Sequence, residues 1–218
     1  MIKLHYFNGH GRVDAIKFTL DTVGAPYEMI GHDHSDWATD KEDQTLFPFK
    51  QMPVIETKSG VLHQTRAIIN FYCSLKGWMP QTPEEVYLDN WYFDTLSEFL
   101  ETYWRDWVCN PDPEKKEKGG ETFLNEKAPL VFTEMEAKFT ERPGRIDHYL
   151  VSDQFTPAFF HAVSVLNVIC YDGPRSQEVK PLLAKHAPFM KKWVESKTNG
   201  EFASYFKDTS KRPTSQWQ

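Results

Sequence analysis

The residues of this chain best placed for chemistry lie between positions 48 and 68, PFKQMPVIETKSGVLHQTRAI. Met52-Pro53 enters the apolar run Val54-Ile55, Ser59-Gly60 supplies turn chemistry, Val61-Leu62-His63 resumes an extended pattern, and Gln64-Thr65 opens the next segment. That order predicts strand, tight turn, strand and helix start. A proline at the mouth of a strand has no N–H for the ladder, so it belongs at a first strand position or an edge, where a cis bond is accommodated. Such an edge leaves the Met52 N–H and C=O free to pair with an incoming extended peptide. Thr65 stands where a helix N-cap should stand, and the free amides of that first turn favour an anion. Main-chain pairing beside an anion site suits a small acidic peptide.

These groups need a scaffold, and the flanking sequence describes one. Ile2 to Phe7 alternates as a strand, Asn8-Gly9-His10-Gly11 is a loop, and Val13, Ile16, Leu20 and Val23 recur at helical spacing until Gly24 closes the helix. Residues 27–30 read as a second strand, residues 37–43 as an irregular helix, and residues 65–76 as a helix closed by Gly77. The first domain is expected to cover residues 1–77, with a linker at 78–81. Helical patterning takes over in residues 82–218. Thr82-Pro83-Glu84-Glu85 combines an N-cap hydroxyl, a first-position proline and a capping-box glutamate. The helix it opens is expected to reach about residue 107. Residues 110–120, NPDPEKKEKGG, read as an exposed loop with a mobile tip. Further helices are expected near residues 121–141, 157–170, 177–185, 187–198 and 200–206.

With 218 residues the chain can bury a substantial core. A net charge of −6 and a pI near 5.8 give no electrostatic footprint for nucleic acid or an anionic membrane. No apolar stretch approaches the roughly 20 residues of a bilayer span, and no signal-peptide core follows Met1, so a cytoplasmic protein is expected. Cys73, Cys109 and Cys170 are odd in number, widely spaced and without a CxxC, which argues against a disulfide framework or a zinc site. All three read as packing residues.

The run at 48–68 resembles the glutathione-binding half of the glutathione S-transferases, whose thioredoxin-like domain carries P-F-G-Q-[LMV]-P-V-[LI] and then Q-S-x-A-I. Tyr6-Phe7-Asn8-Gly9-His10-Gly11-Arg12 resembles the Y-F-N-G-R-G-R of the sigma class, which is prostaglandin D synthase-like. The resemblance implies an α/β thioredoxin-like domain ordered β-α-β-α-β-β-α, followed by an all-α helical bundle. It also implies glutathione as co-substrate. Tyr6 would donate its hydroxyl to the glutathione sulfur and stabilise the thiolate, with Arg12 adding positive potential. Trp37 and Lys41, spaced as the family's W-x-x-x-K, would hold the glycine carboxylate. Gln51 and Met52 would bind the cysteinyl backbone with Pro53 fixing their geometry, and Gln64 and Thr65 would hold the γ-glutamyl carboxylate. Asp94 and Glu98, one turn apart, would reach the γ-glutamyl amine of a neighbour in a homodimer. Ser97 replaces an acidic position used for metal in some relatives, so no metal is expected. A small hydrophobic electrophile would sit near Tyr103, Trp104 and Trp107.

The chain also departs from the pattern. Lys50 replaces the glycine of P-F-G-Q, so either the turn avoids positive φ or Lys50 accepts it. Phe155-Thr156-Pro157-Ala158-Phe159 lies where the family has an S/T-x-x-D capping box. Thr156 can cap but Phe159 cannot reach back, an expected loss of about 1 kcal/mol. Two functions fit. One is a glutathione S-transferase, with isomerase or peroxidase chemistry on lipids as variants of the same thiolate. The other is a non-enzymatic relative, a scaffold or subunit of a larger assembly with a silent peptide site.

Overall fold

The computed structural model describes residues 1–141 and 149–212. Strand β1 (Ile2–Phe7) runs into helix α1 (Arg12–Val23), strand β2 (Tyr27–His32), the single-turn helix α2 (Trp37–Asp40), the hairpin β3 (Val54–Thr57) and β4 (Gly60–His63), and helix α3 (Thr65–Ser74). The sheet order is β2-β1-β3-β4. β1 pairs parallel with β2 in the register Ile2 to Tyr27, and antiparallel with β3 in the register Leu4 to Ile55. This is the thioredoxin-like order that the pattern implies. A left-handed Gly24 (φ 72°) ends α1, as the sequence predicts, because its N–H reaches back to the carbonyls of the last turn.

The second half is helical. α4 (Pro83–Glu101) continues as a wider π-type turn, Thr102–Val108; α5 (Pro113–Thr122) passes through a similar turn into α6 (Ala128–Thr140). Then come α7 (Pro157–Asn167), α8 (Ser176–His186), α9 (Pro188–Ser196) and α10 (Ala203–Phe206). α7 is the axis of this half: all eleven of its residues are buried, and it packs against α1, α3 and α4. One continuous core therefore runs from Leu4 of the sheet to Tyr205. Phe18 of α1 stands at the joint, within about 6 Å of the Phe159, Phe160, Phe202, Tyr205 and Phe206 rings.

Three expectations change. Residues 110–120 are not a loop. Asp112 caps α5 by accepting from the N–H groups of Glu114 and Lys115, with Pro113 in the first turn. Gly119 and Gly120 are accommodated there because a Cβ at either would collide with the Asp106 carbonyl or the Trp107 indole. Cys73 and Cys170 are buried, but Cys109 is exposed. The capping box lost at Phe159 has a replacement. Thr156 makes no side-chain cap, yet the buried Asp89 of α4 accepts the Ala158 N–H at 2.9 Å. Burial raises the pKa of that carboxyl against the pull of its hydrogen bonds. Phe159 itself fills the aromatic core against Phe18, Tyr149 and Trp193. Among the described residues no helix is long and apolar enough to cross a membrane.

Candidate active site

Two adjoining clefts lie where the sheet domain meets α4. The larger, about 450 Å³, has Gln51, Met52, Pro53, Gln64 and Thr65 on one wall. Arg66, Phe93, Asp94, Ser97 and His161 face them. The Met52–Pro53 bond is cis. Among the described residues only Lys50 (φ 50°), Gln64 (φ 70°) and Leu150 (φ 74°) are non-glycine residues at positive φ, and two of the three flank this wall. Such backbone persists where surrounding structure over-determines it, and it clusters at ligand clamps. Lys50 thus accepts the conformation, with its ammonium held by the Glu42 carboxylate at 2.6 Å. Thr65 is the first residue of α3 rather than its cap. Gln64 holds the cap position in a left-handed backbone without a side-chain cap.

The smaller cleft, about 290 Å³, is lined by Tyr6, Phe7, Leu100, Trp104, Arg105 and Cys109. Arg12 and Glu101 border both clefts and hydrogen-bond each other across the boundary. The Glu101 carboxylate also takes Arg105 at 3.2 Å. Tyr6 is half-buried, and its hydroxyl accepts the Arg12 backbone N–H at 3.3 Å. Burial pushes the phenol up to about 12, outweighing the Arg12 charge, so at neutral pH it is a protonated donor. Gly11 makes room for it: a Cβ there would sit 2.6 Å from the Tyr6 oxygen, and φ is +150°. The loop is fixed by Asp14, which accepts the Gly11 N–H at 2.6 Å and pairs with His10 at 2.9 Å. Burial works against the Asp14 carboxylate, but the His10 hydrogen bond and the charges of His10, Lys17 and Arg212 hold it down to about 2.

The other expected residues divide. Trp37 lines neither cleft, but it packs with Tyr6, Phe7 and Leu46 on a small second core of Phe47, Met52 and Val54. Lys41 follows it at the C-terminal end of α2. Asp94 faces the larger cleft and pairs with Arg66 at 2.5 Å, whereas Glu98 is exposed and lines neither. Of the three aromatics expected around the electrophile only Trp104 borders the smaller cleft. Tyr103 is fully buried, its hydroxyl accepting the Arg175 N–H at 3.1 Å, and Trp107 faces a different groove beside α5. The π-type turn explains this, since it rotates the face that α-helical spacing would present. Sequence reasoning missed Arg66, Glu101 and His161. His161 lies under the larger cleft, stacked on Phe93 at 4.0 Å with Nε2 3.0 Å from the Ser97 hydroxyl, and burial lowers its pKa to about 3. No local motif marks these three, because the contacts that place them at the clefts, Arg66 to Asp94, Glu101 to Arg12 and His161 to Ser97, join residues 28 to 89 positions apart.

Comparison with known proteins bears on the fold. Residues 2–72 match the model of the glutathione S-transferase N-terminal domain. Hematopoietic prostaglandin D synthase of Gallus gallus is 24% identical over 201 residues, covering 89% of this chain and 96% of that protein. Glutathione S-transferase A1 of Bos taurus is 28% identical over 189 residues, covering 86% and 79%. Among solved structures, rat hPGDS complexed with a quinoline superposes with a TM-score of 0.78 at 21% identity, over 99% of this chain and 98% of that one. Prostaglandin synthase D of Nilaparvata lugens superposes with a TM-score of 0.66 at 25% identity, over 89% and 97%. The chain thus carries the glutathione transferase fold, matches the glutathione S-transferase N-terminal domain over residues 2–72 and is similar to glutathione S-transferases and hematopoietic prostaglandin D synthase.

Proposed function

We propose that this protein is a glutathione S-transferase of sigma-like character that uses Tyr6 to stabilise the glutathione thiolate for attack on a small hydrophobic electrophile. The observation that supports the reading is the Tyr6 hydroxyl, protonated and held beside Gly11 and the Arg12 amide in the smaller cleft, with Arg12 bordering the larger cleft as well. The peptide would lie extended along Met52, its γ-glutamyl carboxylate at the Gln64-Thr65 amides and its glycine carboxylate toward Trp37 and Lys41. Gln51 and Pro53 shape the edge it pairs with. Its sulfur then falls beside Tyr6, whose O–H donates to S⁻ and favours the charged form without being consumed. Arg12 adds positive potential, tempered by Glu101. The electrophile would enter beside Trp104 and Leu100, and lipid isomerase or peroxidase chemistry would use the same thiolate.

The arrangement is read as two domains, residues 1–77 and 82–218, in a cytoplasmic homodimer whose cleft-facing Asp94 reaches toward the neighbour's peptide. A glutathione-binding isotherm on the purified protein, with its mass in solution, tests site and assembly together. Micromolar-to-millimolar binding by a dimer supports the transferase. If glutathione does not bind and no thiol acceptor turns over, the scaffold reading replaces it.

A further inference from the structure

Beneath α2 runs a line of three titratable side chains drawn from three elements. His5 Nδ1 of β1 lies 3.1 Å from His32 Nε2 of β2, and His32 Nδ1 lies 2.7 Å from a carboxylate oxygen of Asp40, the last residue of α2. His5 is buried and the His32 side chain is 11% exposed. A carboxylate only accepts, so His32 Nδ1 carries the proton of that contact. In the neutral ring Nε2 must then accept, which makes His5 Nδ1 the donor of the second contact. His5 Nε2 is left bare, and it is one of the buried side-chain atoms that have no hydrogen-bond partner among the described residues. The carboxylate at one end thereby sets both tautomers. The other charged groups near the pair are Lys3 on β1 and Glu56 on β3, which act on His5.

α2 has little else to hold it. It is one turn long and none of its residues is buried. Besides the Asp40 contact, its anchor is Trp37, which meets the rings of Phe47 at 5.0 Å and His32 at 6.0 Å edge-on. Phe47 in turn stands edge-on to both imidazoles. The histidine line and the aromatic cluster therefore grip the two ends of the same turn, the one that carries Trp37 and leads into Lys41.

We infer that His5, His32 and Asp40 form a positioning relay that sets α2 so that Trp37 and Lys41 receive the glycine carboxylate of glutathione. This rests on the transferase reading above. None of the three residues lines either cleft, so the relay would act through α2 alone, at the glycine end of the ligand. Asp40→Asn keeps the shape and removes the charge from a side chain at the surface, and His32→Gln interrupts the line at its centre.

The test compares glutathione with γ-glutamylcysteine, which lacks the glycine, by calorimetry on wild type and both variants. The expected result is a glutathione Kd raised about fivefold or more in each variant, the scale of weakening one charge-assisted hydrogen bond, with the γ-glutamylcysteine Kd unchanged within about twofold. Equal losses for both peptides, or no loss for either, overturn the relay. Equal affinity of the wild type for both peptides also overturns it, while leaving the transferase reading in place. Failure of the wild type to bind either peptide overturns the transferase reading and the relay with it.

Discussion

Tyr6→Phe removes one oxygen and leaves the ring packed against its neighbours. In the structure that oxygen accepts the Arg12 N–H and keeps its own proton for a ligand. Donation to a thiolate is a hydrogen bond to a charged group, worth about 1.5–3 kcal/mol. At about 1.4 kcal/mol per pKa unit, its loss should raise the bound thiol by about 1–2 units. At pH 6.5 the thiolate fraction, and kcat/KM with an aryl halide, should therefore fall about 10- to 100-fold. The deficit should shrink as pH approaches the shifted thiol pKa, because both enzymes then hold thiolate. Tyr6 titrates only near 12, so the rising limb between pH 6 and 9 reports the sulfur and not the phenol. The assays are kcat/KM against pH and the ultraviolet absorbance of bound thiolate, with binding to immobilised glutathione retained as the control. A loss by the same factor at every pH, or no loss, would refute the assignment of Tyr6 to thiolate stabilisation.

Asp89→Ala should leave the Ala158 N–H buried without its acceptor, costing about 1–3 kcal/mol. A melting temperature lower by about 3–10 °C, with glutathione affinity unchanged, is expected for a chain of this size; an unchanged melt would sink the claim that Asp89 replaces the lost capping box. His161 is held neutral by burial, with a folded-state pKa near 3 against about 6.5 when unfolded. The unfolded chain binds the extra proton first, so stability is lost as pH falls through 6.5 toward 3, at up to about 1.4 kcal/mol per pH unit. His161→Gln should flatten the acid limb of the melting curve between pH 6 and 4. An identical slope in the variant would show that His161 is not the titrating group.

The local motifs told their story in the sequence. Tyr6, Gly11 and Arg12 share one strand–loop–helix junction, and Met52, Pro53, Gln64 and Thr65 share one hairpin and the helix after it. Their geometry is set by turns, glycines and a proline within a few residues, and the hydrophobic periods of 2 and 3.6 that position those elements are local too. For the same reason the βαβ order, the αL Gly24 and the Thr82-Pro83 helix start were all legible.

Only the folded chain decided which distant groups meet. Asp89 capping Ala158, Arg12 meeting Glu101, Arg66 meeting Asp94 and the His5–His32–Asp40 line all bring together groups from separate elements, and composition does not rank such pairings. The aromatics of α4 show the limit most plainly. Tyr103, Trp104 and Trp107 were expected together around the electrophile, but the π-type turn at Thr102–Val108 turned Tyr103 into the core and Trp107 toward α5, leaving Trp104 at the cleft. In residues 110–120 charge and two glycines outweighed a cap-and-proline signal that was present at Asp112-Pro113, because the packing that made those glycines acceptable comes from Asp106 and Trp107. Backbone chemistry is written residue by residue; the choice of partner is made by close packing across the whole core.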